Sequence, residues 1–139
     1  MFKRILVPID LSDRHARVLT AALALARQSR ARVTVLHVIQ SVQNIPPGDL
    51  GDFYRELART SMGKLERVAK RFQAKRVPVR TELTIGEPAR EIVRLAAKHR
   101  ADLVVMGSHK VRPGRPATGW GTTSYKVGIF CRCPILRVK

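Results

Sequence analysis

The sequence predicts an α/β fold, a five-stranded parallel sheet with helices on both faces. Three observations carry that prediction. Short runs of aliphatic and β-branched residues recur five times, segments with apolar residues at helical spacing alternate with them, and Gly, Pro or Asp punctuates the joins. Right-handed crossovers then lay the strands parallel and cover both faces of the sheet. At 139 residues, 45% of them hydrophobic, the chain suits one domain over 1–139 with a core of its own.

Each element has its own justification. Arg4 to Ile9 reads as a buried strand bounded by Pro8 and Asp10, and Ser12 or Asp13 can cap a helix from about Arg14 to Ser29 whose Val18, Leu19, Ala22, Leu25 and Ala26 share one face. Arg32 to Ile39 is a second strand, rich in β-branched residues. After Pro46-Pro47-Gly48 comes a long helix whose stripe Phe53, Leu57, Ser61, Leu65, Val68 and Phe72 is expected to face the core. Pro78 to Thr84 is a third strand; Gly86-Glu87-Pro88 opens a helix with proline in its first turn, turning Ala89, Ile92, Val93, Ala96 and Ala97 inward. Leu103 to Met106 is the fourth strand, Thr122 to Phe130 a short helix, and Pro134 to Val138 the fifth strand.

Charge is the unusual part of the composition. Twenty-seven Lys and Arg stand against 10 Asp and Glu, a formal net charge of +17, with clusters at Arg27 to Arg32, Arg67 to Arg76 and Lys110 to Arg115. Such a field steers anions toward the chain, whether nucleotide, nucleic acid or acidic lipid, while any one cluster reads first as a solvated face. No RNA-binding signature or zinc-finger spacing accompanies it, and aromatic residues make up 5%. Apolar runs fall far short of the roughly 18 to 20 residues of a membrane span, and the amino terminus turns polar by Asp10, so the expectation is a cytoplasmic protein with no membrane insertion. Cys131 and Cys133, two apart, should project to one side of a strand as structural thiols, because Cys-x-Cys makes a poor disulfide and only half a metal site.

The chemistry-bearing stretch follows the fourth strand. Gly107-Ser108-His109 leads into a Gly/Pro-rich basic loop that ends at Gly121-Thr122-Thr123. Glycines let a backbone approach a ligand closely, and the N–H groups opening the next helix suit an anion, so the loop reads as a phosphate cradle. In open parallel sheets ligands bind beyond the carboxyl ends of the strands where the strand order reverses. If strands one and four adjoin there, Pro8-Ile9-Asp10 faces Gly107-Ser108-His109. Asp10 is then placed to hold magnesium or a ribose hydroxyl, or else serves as a turn or capping aspartate; His109 meets a phosphate or lies on a surface loop.

Ile5-Leu6-Val7-Pro8-Ile9-Asp10-Leu11-Ser12, His37-Val38, Gly86-Glu87-Pro88, Val104-Val105-Met106-Gly107-Ser108-His109 and the closing Gly121-Thr122-Thr123-Ser124-Tyr125-Lys126-Val127 with Cys133-Pro134-Ile135-Leu136 resemble the universal stress protein family, in order and over nearly the whole chain. The resemblance implies a Rossmann-like sheet of order 3-2-1-4-5 and a homodimer through the C-terminal strand. It also implies ATP as ligand, with Pro8, Asp10 and Val38 around the adenosine, Val38 through its backbone. Met106, Gly107, His109, Gly121, Thr122 and Thr123 would then lie along ribose and phosphates.

The chain departs from that family's ATP pattern, Gly-x2-Gly-x9-Gly-Ser/Thr. Lys110 stands at the second glycine, and ten residues rather than nine precede Gly121. A lysine forced to positive φ costs roughly 1 kcal/mol or more, whereas Lys110, Arg112 and Arg115 can replace backbone contacts with charged ones to the β- and γ-phosphates. Both outcomes are open at this point. No nucleophile–base pair or arginine finger is recognisable from spacing, so ATP with magnesium is expected as a regulatory ligand with at most slow hydrolysis. The alternatives are a dimeric stress protein without a nucleotide, acting through protein contacts, and a basic domain that binds nucleic acid.

Overall fold

Alternation along the first strand decides the layering. The computed structural model describes residues 1–12, 15–41, 51–108 and 120–139. In chain order the elements are β1 (Arg4–Pro8), α1 (Ala16–Ser29), β2 (Arg32–Gln40), α2 (Gly51–Ala74), β3 (Val79–Gly86), α3 (Pro88–Lys98), β4 (Leu103–Gly107), α4 (Trp120–Phe130) and β5 (Ile135–Val138). All neighbouring strands pair parallel, in the order β3-β2-β1-β4-β5 expected from the resemblance. Successive side chains of a strand point to opposite faces. Ile5, Val7 and Ile9 accordingly join one core with α1 and α2, where Leu19, Leu65 and Phe72 are buried. Leu6 joins a second core with Ile92 and Leu95 of α3 and Val127 of α4.

Three helix-to-strand turns are built alike. Arg30, Arg76 and Arg100 take left-handed conformations with φ of 53°, 59° and 52°. The N–H of the following residue reaches back to close the helix: Ala31 to Ala26, Val77 to Phe72 and Ala101 to Ala96, at 2.9, 3.0 and 2.9 Å. This is the Schellman arrangement, which usually places glycine where these arginines stand.

Several expectations need correction. Helix α1 starts at Ala16 behind His15, whose side chain makes no cap bond; Ser12 is engaged elsewhere, and Asp13 and Arg14 lie outside the described residues. The α2 stripe is buried at Ser61, Leu65, Val68 and Phe72, but Leu57 is half-buried and Phe53 is 54% exposed. A helix of 24 residues is roughly 36 Å long, longer than the β2 and β3 strands it packs against, whose 9 and 8 residues span about 30 and 26 Å, so its first turns run past the packed sheet. In α3 the buried residues are Pro88, Ala89, Ile92, Leu95 and Ala96. Val93 is half-buried and Ala97, one residue past the face centred on Ile92 and Ala96, is exposed. The cysteines lie in the turn between α4 and β5 rather than on a strand.

The stripe correction yields a paired test. Phe72→Ala should cost about 3–5 kcal/mol of unfolding free energy by chemical denaturation, and Phe53→Ala less than about 1 kcal/mol. Equal losses would place the start of α2 in the core after all.

Candidate nucleotide crevice

The crevice opens because β1 contains a proline at one position. Ile9 N–H donates to the Leu36 carbonyl of β2 at 2.8 Å, whereas the Arg4 carbonyl accepts from Asp102 N–H, on the β4 side, at 2.9 Å. Alternate residues of β1 thus bond to opposite neighbours, and by that alternation Pro8 faces β4, where it has no N–H to give. The pairing matches: β1 stays in register with β2 through Pro8↔Leu36, but pairs with β4 only at Ile5↔Leu103 and Leu6↔Val104. Beyond Leu6 the sheet parts at the strand-order reversal, while β4 continues along β5 to Gly107↔Val138.

Around this opening the structure collects most of the expected residues. Leu36 faces β1, so two residues on the Val38 N–H and C=O also face the β1 side, where β1 has already ended. The Val38 side chain is buried in the α3 core, as is Met106 at 1% exposure. Asp10 follows β1, and its Oδ1 accepts from Ser12 N–H at 3.0 Å and Ser12 Oγ at 2.7 Å. It is therefore a turn aspartate, held in a fixed orientation at the mouth.

Gly107 closes β4, and Ser108 N–H donates to the Val138 carbonyl at 2.8 Å. A Cβ on Gly107 would meet Val18 Cγ2 at 3.5 Å, an ordinary contact, and its φ is not in the left-handed range. Neither packing nor backbone conformation explains a glycine there. Helix α4 begins at Trp120, two residues before the sequence expectation, so Gly121, Thr122 and Thr123 lie in its opening turns. A helix returning between parallel strands runs opposite to them, which sets the α4 amino end at the carboxyl edge of the sheet. Thr123 and Ser124 are buried. His109 and Lys110 lie outside the described residues.

Sequence reasoning left out two participants. Ser12 orients Asp10, a role legible in the Asp-x-Ser spacing of an Asx-type turn. His37 was quoted as part of a motif but given no role; its Nδ1 lies 2.8 Å from the Ile9 carbonyl, so Nδ1–H donates and pins the end of β1 to β2. Burial pushes its pKa below 6.5, reinforced by the Lys64 charge and opposed by the Ile9 carbonyl and Asp10. At the other end of the molecule the Cys131 and Cys133 sulfurs lie 3.3 Å apart as thiols. Burial and then the Cys131 thiol push Cys133 up to about 12. Among the described residues no group of three or more His, Cys, Asp or Glu is placed to hold a metal, and no helix is long and apolar enough to cross a membrane.

Comparison with known proteins agrees with the fold. The model of the universal stress protein family matches residues 1–139. A universal stress protein of Thermus aquaticus is 34% identical over the full length of both chains. Among solved structures, the hypothetical protein MJ0577 superposes with a TM-score of 0.83 at 26% identity, covering 100% of this chain and 96% of that one. Universal stress proteins crystallised with cAMP and, from Archaeoglobus fulgidus, with dAMP share the fold at a TM-score of 0.71 and 22% identity, covering 99% of this chain and 96% and 98% of theirs.

The His37 environment gives a pH test. A histidine whose native pKa is lowered binds fewer protons folded than unfolded between that pKa and 6.5, so its contribution to stability is complete above 6.5 and lost as pH falls below it. An NMR titration should place the His37 midpoint under 6.5, and His37→Gln should flatten the fall in urea midpoint below that pH. A midpoint at or above 6.5 would contradict the assignment.

Proposed function

Because this chain belongs to the universal stress protein family, we propose that it is a regulatory binder of an adenine nucleotide, ATP with magnesium, acting in the stress response as a single-domain cytoplasmic homodimer. The observation that carries this reading is the parting of β1 from β4 at Pro8, which leaves the Val38 peptide groups facing the gap. Adenine lies against Pro8 with its edge on the Val38 backbone. Asp10, steadied by Ser12, takes the ribose or the magnesium. Met106, Gly107 and the opening turn Gly121-Thr122-Thr123 carry the phosphates, with His109 and Lys110 adding contacts from the loop. A glycine without a packing or conformational reason at 107 supports close approach of a ligand to the backbone. The relatives crystallised with cAMP and dAMP support the adenine class.

Magnitudes say which parts must contribute. A helix amino end provides about 0.3–2 kcal/mol, and micromolar affinity needs roughly 8 kcal/mol. Adenine burial and charged phosphate contacts must therefore supply most of the binding, a role open to Lys110.

The dimer rests on β5. It is the last strand of the sheet and presents unpaired backbone groups at its edge. Within it Leu136 is 39% exposed, and Tyr125, Ile129 and Phe130 of α4 are 64%, 56% and 67% exposed.

Two experiments test this reading. Calorimetric titration with ATP and magnesium should show saturable binding near one nucleotide per chain; Asp10→Ala should weaken it about tenfold or more, equivalent to roughly 1.4 kcal/mol, and Gly121→Val should abolish it. No binding to the parent protein, confirmed by a second method, would overturn the nucleotide role and hand the function to protein contacts. Sedimentation should give a dimer at micromolar concentration that Leu136→Asp converts to monomer; a monomeric parent would sink the dimer.

A further inference from the structure

The edge of the sheet opposite the crevice has a different character. A cleft of about 580 Å³ there is lined by Arg4 of β1, Arg32 of β2, Arg80 of β3, and Lys98, His99 and Arg100 at the end of α3. Apart from half-buried His99, all of these are exposed. Arg4 and Arg32 are direct cross-strand partners, and Arg80 pairs with Thr34 one step further in. Among the described residues no carboxylate lines the cleft. The two acidic residues nearest in sequence are committed: Asp102 accepts from the Lys3 and Arg4 N–H groups, and Glu82 is bound to His99. Among the described residues the ion pairs are Arg55–Asp52, Arg94–Glu91 and His99–Glu82, so none of the five Arg and Lys side chains of the cleft has an acidic partner.

The cations continue past the cleft. In a parallel sheet every connecting helix ends at this edge, and here α1, α2 and α3 end on Arg30, Arg76 and Arg100. Attraction to the negative end of a helix accounts for a cation in the last turn. It does not account for arginine at three left-handed positions that glycine fills at no steric cost, nor for the arginines that begin the strands. Like charges gathered without acids repel one another, an arrangement suited to an anion with several phosphates.

We propose that this amino-terminal edge binds the phosphate backbone of duplex nucleic acid without reading its bases. Among the described residues the lining carries no Phe, Tyr or Trp on which a single-stranded base could stack, and its one imidazole, His99, is half-buried and bound to Glu82. Among the large exposed hydrophobics, Ile85 at the far end of β3 lies away from this edge, whereas Met1 precedes β1 and Phe130 ends α4 on it, so the lipid-vesicle arm of the test separates a membrane surface from a duplex. Five strands about 4.8 Å apart make the edge roughly 20 Å long, which spans about six base pairs at 3.4 Å each.

The test is fluorescence anisotropy on the full chain with a labelled mixed-sequence duplex of roughly 20 base pairs, titrated between about 50 and 300 mM salt. The informative variant is R30G/R76G/R100G, because glycine suits each left-handed turn and the protein should melt no lower than the parent. A control, R55Q/R59Q/R67Q, removes the same charge from exposed positions of α2. The expected result is a steep salt slope for the parent, a slope shallower by about 2–3 and affinity at least tenfold weaker for the glycine variant, and a control within about twofold of the parent. Equal losses in variant and control would reduce the effect to net charge and overturn the proposal. So would displacement of the duplex by micromolar tripolyphosphate, which would make the cleft a small-anion pocket, or equal affinity for anionic lipid vesicles.

Discussion

The central position of β1 is the constraint on which the molecule depends. Ile5, Leu6 and Val7 are almost fully buried between a core on each face; Ile5 and Leu6 have sheet partners on both sides and Val7 on the β2 side. Such a strand can tolerate proline only where a missing donor does no harm. Pro8 stands at the last rung, so a residue that would weaken the middle of the sheet instead ends its pairing on one side. Strand-order reversal puts the opening at the carboxyl edge; Pro8 sets how deep it is cut. His37 holds the other side closed by donating its Nδ1–H to the Ile9 carbonyl, which ties the end of β1 onto β2.

Parallel topology then gives the two edges opposite chemistry. At the carboxyl edge, strands end in turns that expose backbone N–H groups and a few chosen side chains, Asp10 and Ser12 among them. At the amino edge, helices end, their carbonyls point outward, and basic residues are electrostatically at ease. The chain places arginine at all three Schellman turns, although each left-handed arginine costs up to roughly 1 kcal/mol relative to glycine. The cost falls three times on one edge, and folding alone does not require it.

Most of the fold was legible in the sequence, since alternating aliphatic runs and helical stripes report burial directly. The five strands, the four helices and the place of Pro8, Asp10 and Gly107 at one edge follow from that pattern together with the family resemblance. What escaped depended on extent and competition rather than on type. Phe53 has the right spacing for the α2 stripe, but periodicity does not say where the sheet beneath a helix stops. Ala97 is small and apolar, and hydropathy alone cannot exclude it from a face one residue away. Ser12 suits a helix cap by type; the carboxylate two residues earlier captures its N–H and hydroxyl instead. Cys131 and Cys133 have strand-like spacing, but a turn brings their sulfurs as close. The loop signature at His109 and Lys110 lies outside the described residues, so that part of the site rests on sequence.

The two edges also bear on whether one ligand could govern the other. They are separated by β1, whose 5 residues span roughly 17 Å, about two Debye lengths at physiological salt. The path between the edges includes a low-dielectric interior that screens less than water does, yet an exposed phosphate and an exposed arginine interact mainly through solvent. Direct attraction between an anion at Asp10's end and the arginines at Arg4's end is therefore weak, and charge alone would leave the two sites nearly independent. Coupling would have to be mechanical. The available route is the partial β1–β4 ladder: closing or widening the gap beyond Leu6↔Val104 shifts β4, the strand that the α3 turn enters through Ala101 and Asp102 beside the basic cleft. A nucleotide that acted as a switch on this fold would do so by changing how far β1 and β4 stay zipped.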